Sequence, residues 1–390
     1  MSELATHETS AASFALSAEQ EELRSRARAL VEREGFAERS LEWEQTGEFP
    51  WANVKALAGE GLLATTIPVE HGGNGGSWME GALVLEEIAR ACWVTAMASL
   101  GEIGVQSQAL AAYGSDEVRA KYLPQIASGD LICSVCITEE QAGSDIFSMS
   151  TIATDDPDSG EVVVNGGKAL ISRGDVAGLF VVYVRWSQDP GMRPIGAVLI
   201  PRDTPGLTID EGRETLGGEK LYALSFDTCR IPASYVLARE NGFKKMLTAF
   251  NGQRCLNAAI SVGLAQGAQD AAVAYVKQRV QGGKALAEHQ GIQWMIADNE
   301  IEIQSARQLV WRAAAAASGG FPNRHDAAIA KVVSNEMALR VTDRVVQLFG
   351  GHGWLKEFPA ERFLRWARYG PLGGGTPQIQ RTAIAREVLK

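Results

Sequence analysis

The stretch "GPLGGGTPQIQRTAIAREVL", residues 370–389, joins a glycine-rich loop to an amphipathic helix. Thr376 is a favourable N-cap, and Pro377 suits the first helical position, where a missing N–H group carries no penalty. Ile379 and Ala383 follow at helical spacing. Consecutive glycines let a ligand approach the backbone closely, and the free N–H groups of a helix start attract an anion or the polar edge of a ring. Two interpretations fit this stretch alone: a binding loop, or a flexible loop before a terminal helix.

The composition is that of an ordinary globular protein. The chain has 390 residues, of which 46% are hydrophobic and 22% are charged, and its net charge is −10. An acidic chain is a poor non-specific ligand for nucleic acid. No apolar run approaches the roughly 20 residues of a membrane-spanning helix, and the start lacks the basic and apolar regions of a secretory signal. We therefore expect a cytoplasmic protein without a nucleic-acid or membrane partner.

The five cysteines do not form a recognisable metal or disulfide pattern. Cys133 and Cys136 make a C-x-x-C motif inside "LICSVCIT", an apolar run that is typical of a strand. Residues three apart on a strand point to opposite faces, and no second cysteine pair or nearby histidine follows. The sequence therefore predicts buried structural thiols and no metal site.

Changes in hydrophobic period divide the chain into four parts. A disordered tail is expected over residues 1–16, and helical patterns then fill residues 17–128, beginning with a serine cap and a glutamine three residues later. Short β-branched runs separated by Gly, Pro and Asp fill residues 129–240. Helical patterns return over residues 241–390. No helix alternates with the strands and no G-x-G-x-x-G opens a helix, which disfavours a doubly wound dinucleotide-binding fold.

Four segments together carry a family resemblance. They are "ITEEQAGSD" (137–145), "QRVQGGKALAEHQGIQWMIAD" (278–298), "VQLFGGHGWLKEFPAERFLRWAR" (346–368) and the opening loop. In this order they resemble the acyl-CoA dehydrogenase family of flavoproteins. The resemblance implies an α+β fold with an N-terminal helical domain, a central β-barrel-like domain and a C-terminal four-helix bundle. It implies FAD as the cofactor and an acyl-CoA or acyl-carrier-protein thioester as the substrate. The resemblance also implies an electron-transfer flavoprotein or oxygen as the electron acceptor, and a homodimer or homotetramer as the assembly.

The resemblance assigns one set of FAD contacts to the chain itself. Backbone at the end of the first strand would face the flavin, the Gly-Ser turn that follows would lie near the cofactor or the thioester phosphates, and the terminal loop would close over FAD. Many relatives have a tryptophan where Leu170 stands, so the wall beside the ring is more open here. The implied residues are Ile137, Thr138, Gly143, Ser144, Leu170, Ser172, Thr376 and Gln378.

A second set of contacts would reach the FAD of a neighbouring subunit. Arg279 is expected to pair with the pyrophosphate, where its planar fork of donors is most effective. Gln347, Gly350 and Gly351 are expected on the adenosine side. We interpret His352, within the same segment, as a packed and hydrogen-bonded residue rather than a catalytic base.

The family pattern breaks at the base that removes the substrate's α-proton. Most relatives have a glutamate immediately before the Gly-Thr of the terminal loop, where this chain has Gly374. A second group has it on a bundle helix before an arginine, where this chain has Gln253 before Arg254. Neither glycine nor glutamine offers a lone pair of useful pKa. The resemblance therefore implies an enzyme of this family with atypical chemistry.

Four interpretations of that chemistry remain open. Redox chemistry could use another base or an acidified substrate. Glu102 is a candidate base, although a glutamate at the surface or paired within the helices is the simpler interpretation. A non-oxidative lyase resembling 3-sulfinopropionyl-CoA desulfinase could use Gln253 and Arg254 to hold the thioester or the leaving sulfinate. The helix near Glu102, however, has no arginine after Arg90 to bind an anionic group. The remaining interpretations are a flavin-dependent monooxygenase and a non-catalytic flavoprotein.

Overall fold

The computed structural model describes residues 15–186, 194–239, 241–317 and 320–390. The tail expected over residues 1–16 therefore lies outside the described residues except for its last two positions. The expected order of a helical region, a sheet region and a second helical region is confirmed.

Helices make up the N-terminal region. Its first helix starts after a capping box in which the Ser17 side chain accepts from the Gln20 N–H and the Gln20 side chain accepts from the Ser17 N–H. Ser77 and Glu80 form the same arrangement at the fourth helix. The helices are α1 (Ala18–Arg33), α2 (Phe36–Thr46), α3 (Trp51–Gly59), α4 (Trp78–Ala91), α5 (Trp93–Ile103), α6 (Gln106–Tyr113) and α7 (Asp116–Ala127).

The described residues of the middle region form a nine-stranded sheet. Its strands are β1 (Cys133–Cys136), β2 (Ile152–Asp156), β3 (Glu161–Ser172), β4 (Leu179–Arg185), β5 (Ile195–Pro201), β6 (Leu207–Ile209), β7 (Arg213–Glu214), β8 (Lys220–Pro232) and β9 (Val236–Ala238). They follow the order β6-β8-β3-β2-β4-β5-β9, with β1 beside β4 and β7 beside β8. The long antiparallel pair β3 and β8 places Ser172 opposite Leu221. This register determines which residues border the candidate site.

The prediction that the two thiols of the first strand are buried agrees with the structure. Cys133 and Cys136 are free and fully buried, and burial raises the pKa of Cys136 to about 12. No cluster of three metal-ligating side chains occurs among the described residues. These thiols therefore stay protonated and act as small apolar core groups.

The C-terminal region is built from long helices. It contains α8 (Gly242–Gln278), the short hairpin of β10 (Val280–Gln281) and β11 (Lys284–Ala285), α9 (Gln290–Ala315), α10 (Arg324–Phe349), α11 (Pro359–Ala367) and α12 (Pro377–Val388). Helices α8, α9 and α10 pack side by side, and α12 lies along α10. Ile303 and Val310 of α9, seven residues apart and so on one face of the helix, are buried in this core. No helix within the described ranges is long and apolar enough to cross a membrane.

Two glycines allow α8 to pack directly against the N-terminal region. A methyl group at Gly263 would lie 2.1 Å from the carbonyl oxygen of Glu86, and one at Gly267 would lie 2.0 Å from that of Arg90. Such distances are far below van der Waals contact, so only glycine lets α8 and α4 approach this closely. This packing fixes α8, which carries Gln253 and Arg254, against the N-terminal helices.

Candidate functional site

A cavity of about 950 Å³ lies between the middle sheet, α5, α8 and the loop before α12. Its size is at the upper end of the range for clefts that enclose small ligands, roughly 300–1,000 Å³. Most of the residues that the sequence assigned to the flavin and to catalysis line it. These are Ile137, Thr138, Gly143, Ser144, Leu170, Ser172, Gln253, Arg254 and Thr376.

Gln378 is the exception among the residues predicted from the chain's own side. It lies in the first turn of α12, is exposed, and does not line this cavity. The helix start itself is as predicted, because the Thr376 side chain accepts from the Ile379 N–H and Pro377 occupies the first helical position. The cavity therefore borders the cap of α12 but not the outward side chain that follows it.

The residues predicted to serve a neighbouring subunit form a separate group. Arg279 follows the last residue of α8, and one turn earlier Tyr275 stacks on Phe349 with ring centroids 4.2 Å apart. The Tyr275 hydroxyl lies 2.9 Å from Nδ1 of His352, whose ring stacks on Phe358. His352 is thus packed and hydrogen-bonded, as expected. The exposed residues of this group, none of which lines the cavity, are Arg279, Gln347, Gly350 and Gly351.

The two positions that lack a glutamate meet inside the cavity. Gly374 has a φ of +73°, and a methyl group built there would lie 2.2 Å from Oε1 of Gln253. Gln253 Oε1 is buried and has no hydrogen-bond partner in the described chain. The Gln380 Nε2 donates to the carbonyl oxygens of Gly374 and Gly375 at 3.4 and 3.2 Å. The Gln253 amide therefore fills the space that a side chain at position 374 would take.

Arg254 supplies a buried cation at the same wall. The residue is 5% exposed, and its Nη1 donates to Oδ1 of Asn251 at 2.8 Å. Its Nε–H has no partner among the residues described. Burial, followed by the charge of Arg324, lowers the pKa of Arg254 to about 10. The guanidinium remains charged at neutral pH and keeps a donor that a ligand could satisfy.

Glu102 does not line the cavity. It is completely buried, its Oε1 accepts from the Cys133 N–H at 2.9 Å, and its Oε2 pairs with Nη1 of Arg173 at 2.9 Å. Burial raises the pKa of Glu102, while the charge of Arg173 acts in the opposite direction. Of the two interpretations of Glu102, candidate base or paired glutamate, these contacts support the paired glutamate.

Arg173 also changes the sequence-based view of α5. Its Nη1 donates to the Ala98 carbonyl oxygen at 3.0 Å, and the residue lines the cavity. An arginine therefore does reach this helix, although it comes from the end of β3 rather than from the helix itself. Only the three-dimensional fold brings the two segments together, so no local sequence signal could reveal it.

The charges on the cavity wall are strongly asymmetric. Among the described residues, the lining contains six arginines and a single carboxylate, that of Glu219. A predominantly cationic lining suits a ligand with phosphate groups. No sequence pattern singles out Glu219, which sits in a short loop beside Gly217 and Gly218. The six arginines are Arg173, Arg254, Arg324, Arg365, Arg368 and Arg386.

A buried lysine supports the glycine loop from behind. Lys331 Nζ donates to the Gly370 carbonyl oxygen at 3.0 Å, and Asn335 Nδ2 donates to the same oxygen at 2.7 Å. Burial, then the nearby charge of Arg254, lowers the pKa of Lys331 to about 7. The start of the loop is thus anchored to α10.

Sequence comparisons match all three regions of the chain. The models of the acyl-CoA dehydrogenase N-terminal, middle and C-terminal domains match residues 17–130, 134–229 and 240–389, respectively. The acryloyl-CoA reductase (NADH) of Anaerotignum propionicum is 37% identical over 383 residues, which cover 97% of this chain and 96% of that protein.

Two further comparisons bear on the fold and the site. The 3-sulfinopropanoyl-CoA desulfinase of Paraburkholderia xenovorans is 35% identical over 387 residues, covering 96% of this chain and 97% of that protein. The solved structure of butyryl-CoA dehydrogenase from Megasphaera elsdenii superposes with a TM-score of 0.92 at 30% identity. That alignment covers 97% of this chain and 100% of the other.

Proposed function

Because this chain belongs to the acyl-CoA dehydrogenase family, we propose that it is an FAD-dependent enzyme that acts on an acyl thioester in the 950 Å³ cavity. The observation that carries the proposal is the convergence of the Ile137, Leu170, Gln253 and Thr376 segments on this one cavity. The three relatives described above act, by their names, on acryloyl-CoA, 3-sulfinopropanoyl-CoA and butyryl-CoA. An acyl-CoA substrate is the simplest common chemistry.

The lining suits a flavin ring. Leu170 is 56% exposed and has a φ of +57°, a conformation that is uncommon for residues other than glycine. Leu372 and Ile379 are also exposed apolar residues of the same lining. An aromatic ring would cover such surface, while the N-terminus of α12 and the Gly143–Ser144 turn would offer N–H donors to polar edges. When bound, FAD would supply the acceptor for a hydride from the substrate.

We propose that a second copy of the chain completes the cofactor site. Arg279, Gln347, Gly350 and Gly351 are exposed and do not line the cavity, so they are available to a cofactor that a neighbouring chain binds. Exposed apolar side chains occur nearby in sequence, including Val280 of the β10–β11 hairpin, Trp294 of α9 and Trp354, which is 83% exposed. Such residues favour burial against another protein surface. A homodimer, or a homotetramer built from two dimers, would satisfy both observations.

The chemistry cannot use a carboxylate at either usual position. Gln253 and Arg254 offer an amide and a charged donor, which can hold a thioester oxygen or an anion but cannot accept a proton at neutral pH. We propose oxidation of the acyl group with the proton taken by a group elsewhere in the cavity. The second candidate is a lyase of the desulfinase type, which is supported by the 35% identity to that enzyme and by the amide at position 253.

Anaerobic mixing with a panel of acyl thioesters distinguishes these candidates. Loss of visible flavin absorbance on mixing supports oxidation, whereas product without loss of absorbance supports a lyase. Admitting oxygen or an electron-transfer flavoprotein to the bleached enzyme then identifies the electron acceptor, and an oxygenated product would indicate a monooxygenase. Tight thioester binding with neither bleaching nor product would indicate a non-catalytic flavoprotein. Protein that cannot be loaded with FAD would contradict the proposal as a whole.

A further inference from the structure

Glu219 occupies a distinctive place in the cavity. It ends the tight loop of residues 215–219 that joins β7 to β8, and it is the only Asp or Glu among the described residues of the lining. Those same lining residues include no histidine, lysine or cysteine. The lining also contains Tyr183 and Tyr369, but burial raises the pKa of both hydroxyl groups, so they stay protonated and cannot accept a proton near neutral pH. Within this cavity, Glu219 is therefore the natural candidate.

The β3–β8 register brings Glu219 close to the end of β3. Ser172 pairs with Leu221, only two positions beyond Glu219. Glu219 also borders a smaller adjoining space of about 70 Å³, together with Met97, Ser172 and Arg173. The carboxylate thus lies beside the end of β3, where Ser172 is one of the residues proposed to contact the cofactor.

The loop is fixed from outside by α11. Arg365 Nη1 donates to the Leu216 carbonyl oxygen at 3.1 Å, and Trp366 Nε1 donates to that of Gly217 at 3.0 Å. Within the loop, the Thr215 N–H donates to the Glu219 carbonyl oxygen at 3.0 Å. Arg365 in turn pairs with Glu44 of α2. These contacts hold the backbone without using the Glu219 carboxylate.

The carboxylate itself is available for proton transfer. It makes no hydrogen bond or ion pair with the parts of the chain that the structure describes. Burial raises the pKa of Glu219 to about 7, and the nearby charge of Arg173, itself paired with Glu102, opposes this rise. A carboxylate that titrates near neutral pH both accepts and returns a proton readily. By contrast, Gln253 and Arg254 of α8 can stabilise negative charge but cannot accept a proton at neutral pH.

We propose that Glu219 accepts the α-proton of the acyl thioester bound in this cavity. In this step the α-C–H bond breaks, an O–H bond forms on a Glu219 carboxylate oxygen, and the electron pair remains on the thioester as an enolate. Return of the proton regenerates the thioester, so the step needs no oxidant. The proposal rests on the proposed function only in requiring that an acyl thioester binds here.

The test is exchange of the α-hydrogens of butyryl-CoA for deuterium in D₂O, followed by mass spectrometry under anaerobic conditions. We expect the wild type to catalyse exchange and Glu219→Gln to slow it by at least about a hundredfold, the lower end of general-base contributions. Glu219→Asp should retain part of the rate because it keeps a carboxylate. Glu214→Gln is the matched control, since Glu214 is an exposed carboxylate of β7 outside the lining, and it should exchange like the wild type.

FAD content and butyryl-CoA affinity are measured on each variant so that the different failures can be told apart. Wild-type exchange that persists in Glu219→Gln would overturn the assignment while leaving the proposed function intact. A wild type that bound the thioester without catalysing exchange would overturn the assignment in the same way. If the FAD-loaded wild type bound no acyl thioester, both proposals would fail, and the affinity measurement would show it directly.

Discussion

Replacing Gly374 by alanine should destabilise the protein in two separable ways. The φ of +73° lies in the left-handed region, where an L-residue costs about 1–2 kcal/mol. The new methyl group would also lie 2.2 Å from Gln253 Oε1, whereas ordinary contact begins at 3.4 Å, so the amide must move by 3.4 − 2.2 = 1.2 Å. Overpacking of this kind costs about 1–3 kcal/mol. The combined expectation is a loss of about 2–5 kcal/mol in the free energy of unfolding.

A matched control separates backbone strain from overlap. Gly72 has a φ of +84°, and a methyl group built there meets nothing within 4 Å. Gly72→Ala should therefore lose only the strain contribution of about 1–2 kcal/mol. Combining Gly374→Ala with Gln253→Ala should recover the overlap contribution, because the amide that the methyl group meets is then gone. Urea denaturation of FAD-loaded protein, followed by tryptophan fluorescence, measures these three variants and the single variant Gln253→Ala. The two single variants at positions 374 and 253, the double variant and the wild type form a double-mutant cycle.

Two results would refute this reasoning. One is a coupling energy near zero between positions 374 and 253, and the other is equal destabilisation by Gly374→Ala and Gly72→Ala. The same logic extends to glutamate at the family's usual position. Gly374→Glu combined with Gln253→Ala should increase flavin reduction by butyryl-CoA more than Gly374→Glu alone, because a carboxylate needs the space that the amide now fills.

Three further outcomes are expected. Arg254→Ala should lower kcat/KM by the equivalent of about 2–4 kcal/mol in thioester turnover assays. The control variant Arg312→Ala, on the exposed part of α9, should keep the wild-type value. A folded Arg254→Ala variant with the wild-type kcat/KM would contradict a role of Arg254 in turnover. Arg279→Ala should lose FAD on gel filtration, although the thermal midpoint of its apoprotein should equal that of the wild type. The control variant Lys277→Ala should retain FAD. A wild-type monomer that carries FAD in light scattering would exclude the shared site. Lys331→Met should raise the thermal midpoint most below pH 7 and progressively less towards pH 10.5. A buried lysine with a lowered pKa destabilises the folded protein by its full amount below the folded pKa, and by less as the pH rises towards the unfolded pKa. A difference in thermal midpoint that does not change with pH would argue against the lowered pKa of Lys331.

The sequence was most informative where local chemistry and position coincide. The Ser17 cap and the Thr376 cap followed by Pro377 depend on neighbours a few residues away, and the structure shows both. The change from helical to strand periodicity and back marks the three regions because each period reflects which face is buried. The convergence of the Ile137 and Gly374 segments followed from the family resemblance, not from either segment alone.

The features that the sequence did not reveal depend on contacts between distant segments. Glu219 borders the cavity because β8 pairs with β3 and because α11 holds its loop. Arg173 reaches α5 from the end of β3 and pairs with Glu102, which removes that glutamate from consideration as a base. Pairing between segments that are far apart in the chain produces no periodic pattern in the sequence. For the same reason, the contact between Gln253 and Gly374 could not be predicted, although both positions were already of interest.

The cavity divides its chemistry between two walls. On α8, Gln253 and Arg254 offer polar donors that can stabilise negative charge but cannot take a proton. On the β7–β8 loop, Glu219 can take a proton but carries no donor when ionised. If oxidation occurs as proposed, substitutions on the two walls should affect different quantities. Changes at Arg254 should weaken stabilisation of the enolate and leave the exchanging group in place, whereas Glu219→Gln should slow exchange by at least about a hundredfold while thioester affinity persists. A lyase that releases an anion would reverse this ranking, because it would depend on the α8 wall and tolerate the loss of the carboxylate. The relative sensitivity of the two walls therefore reports which chemistry this member of the family performs.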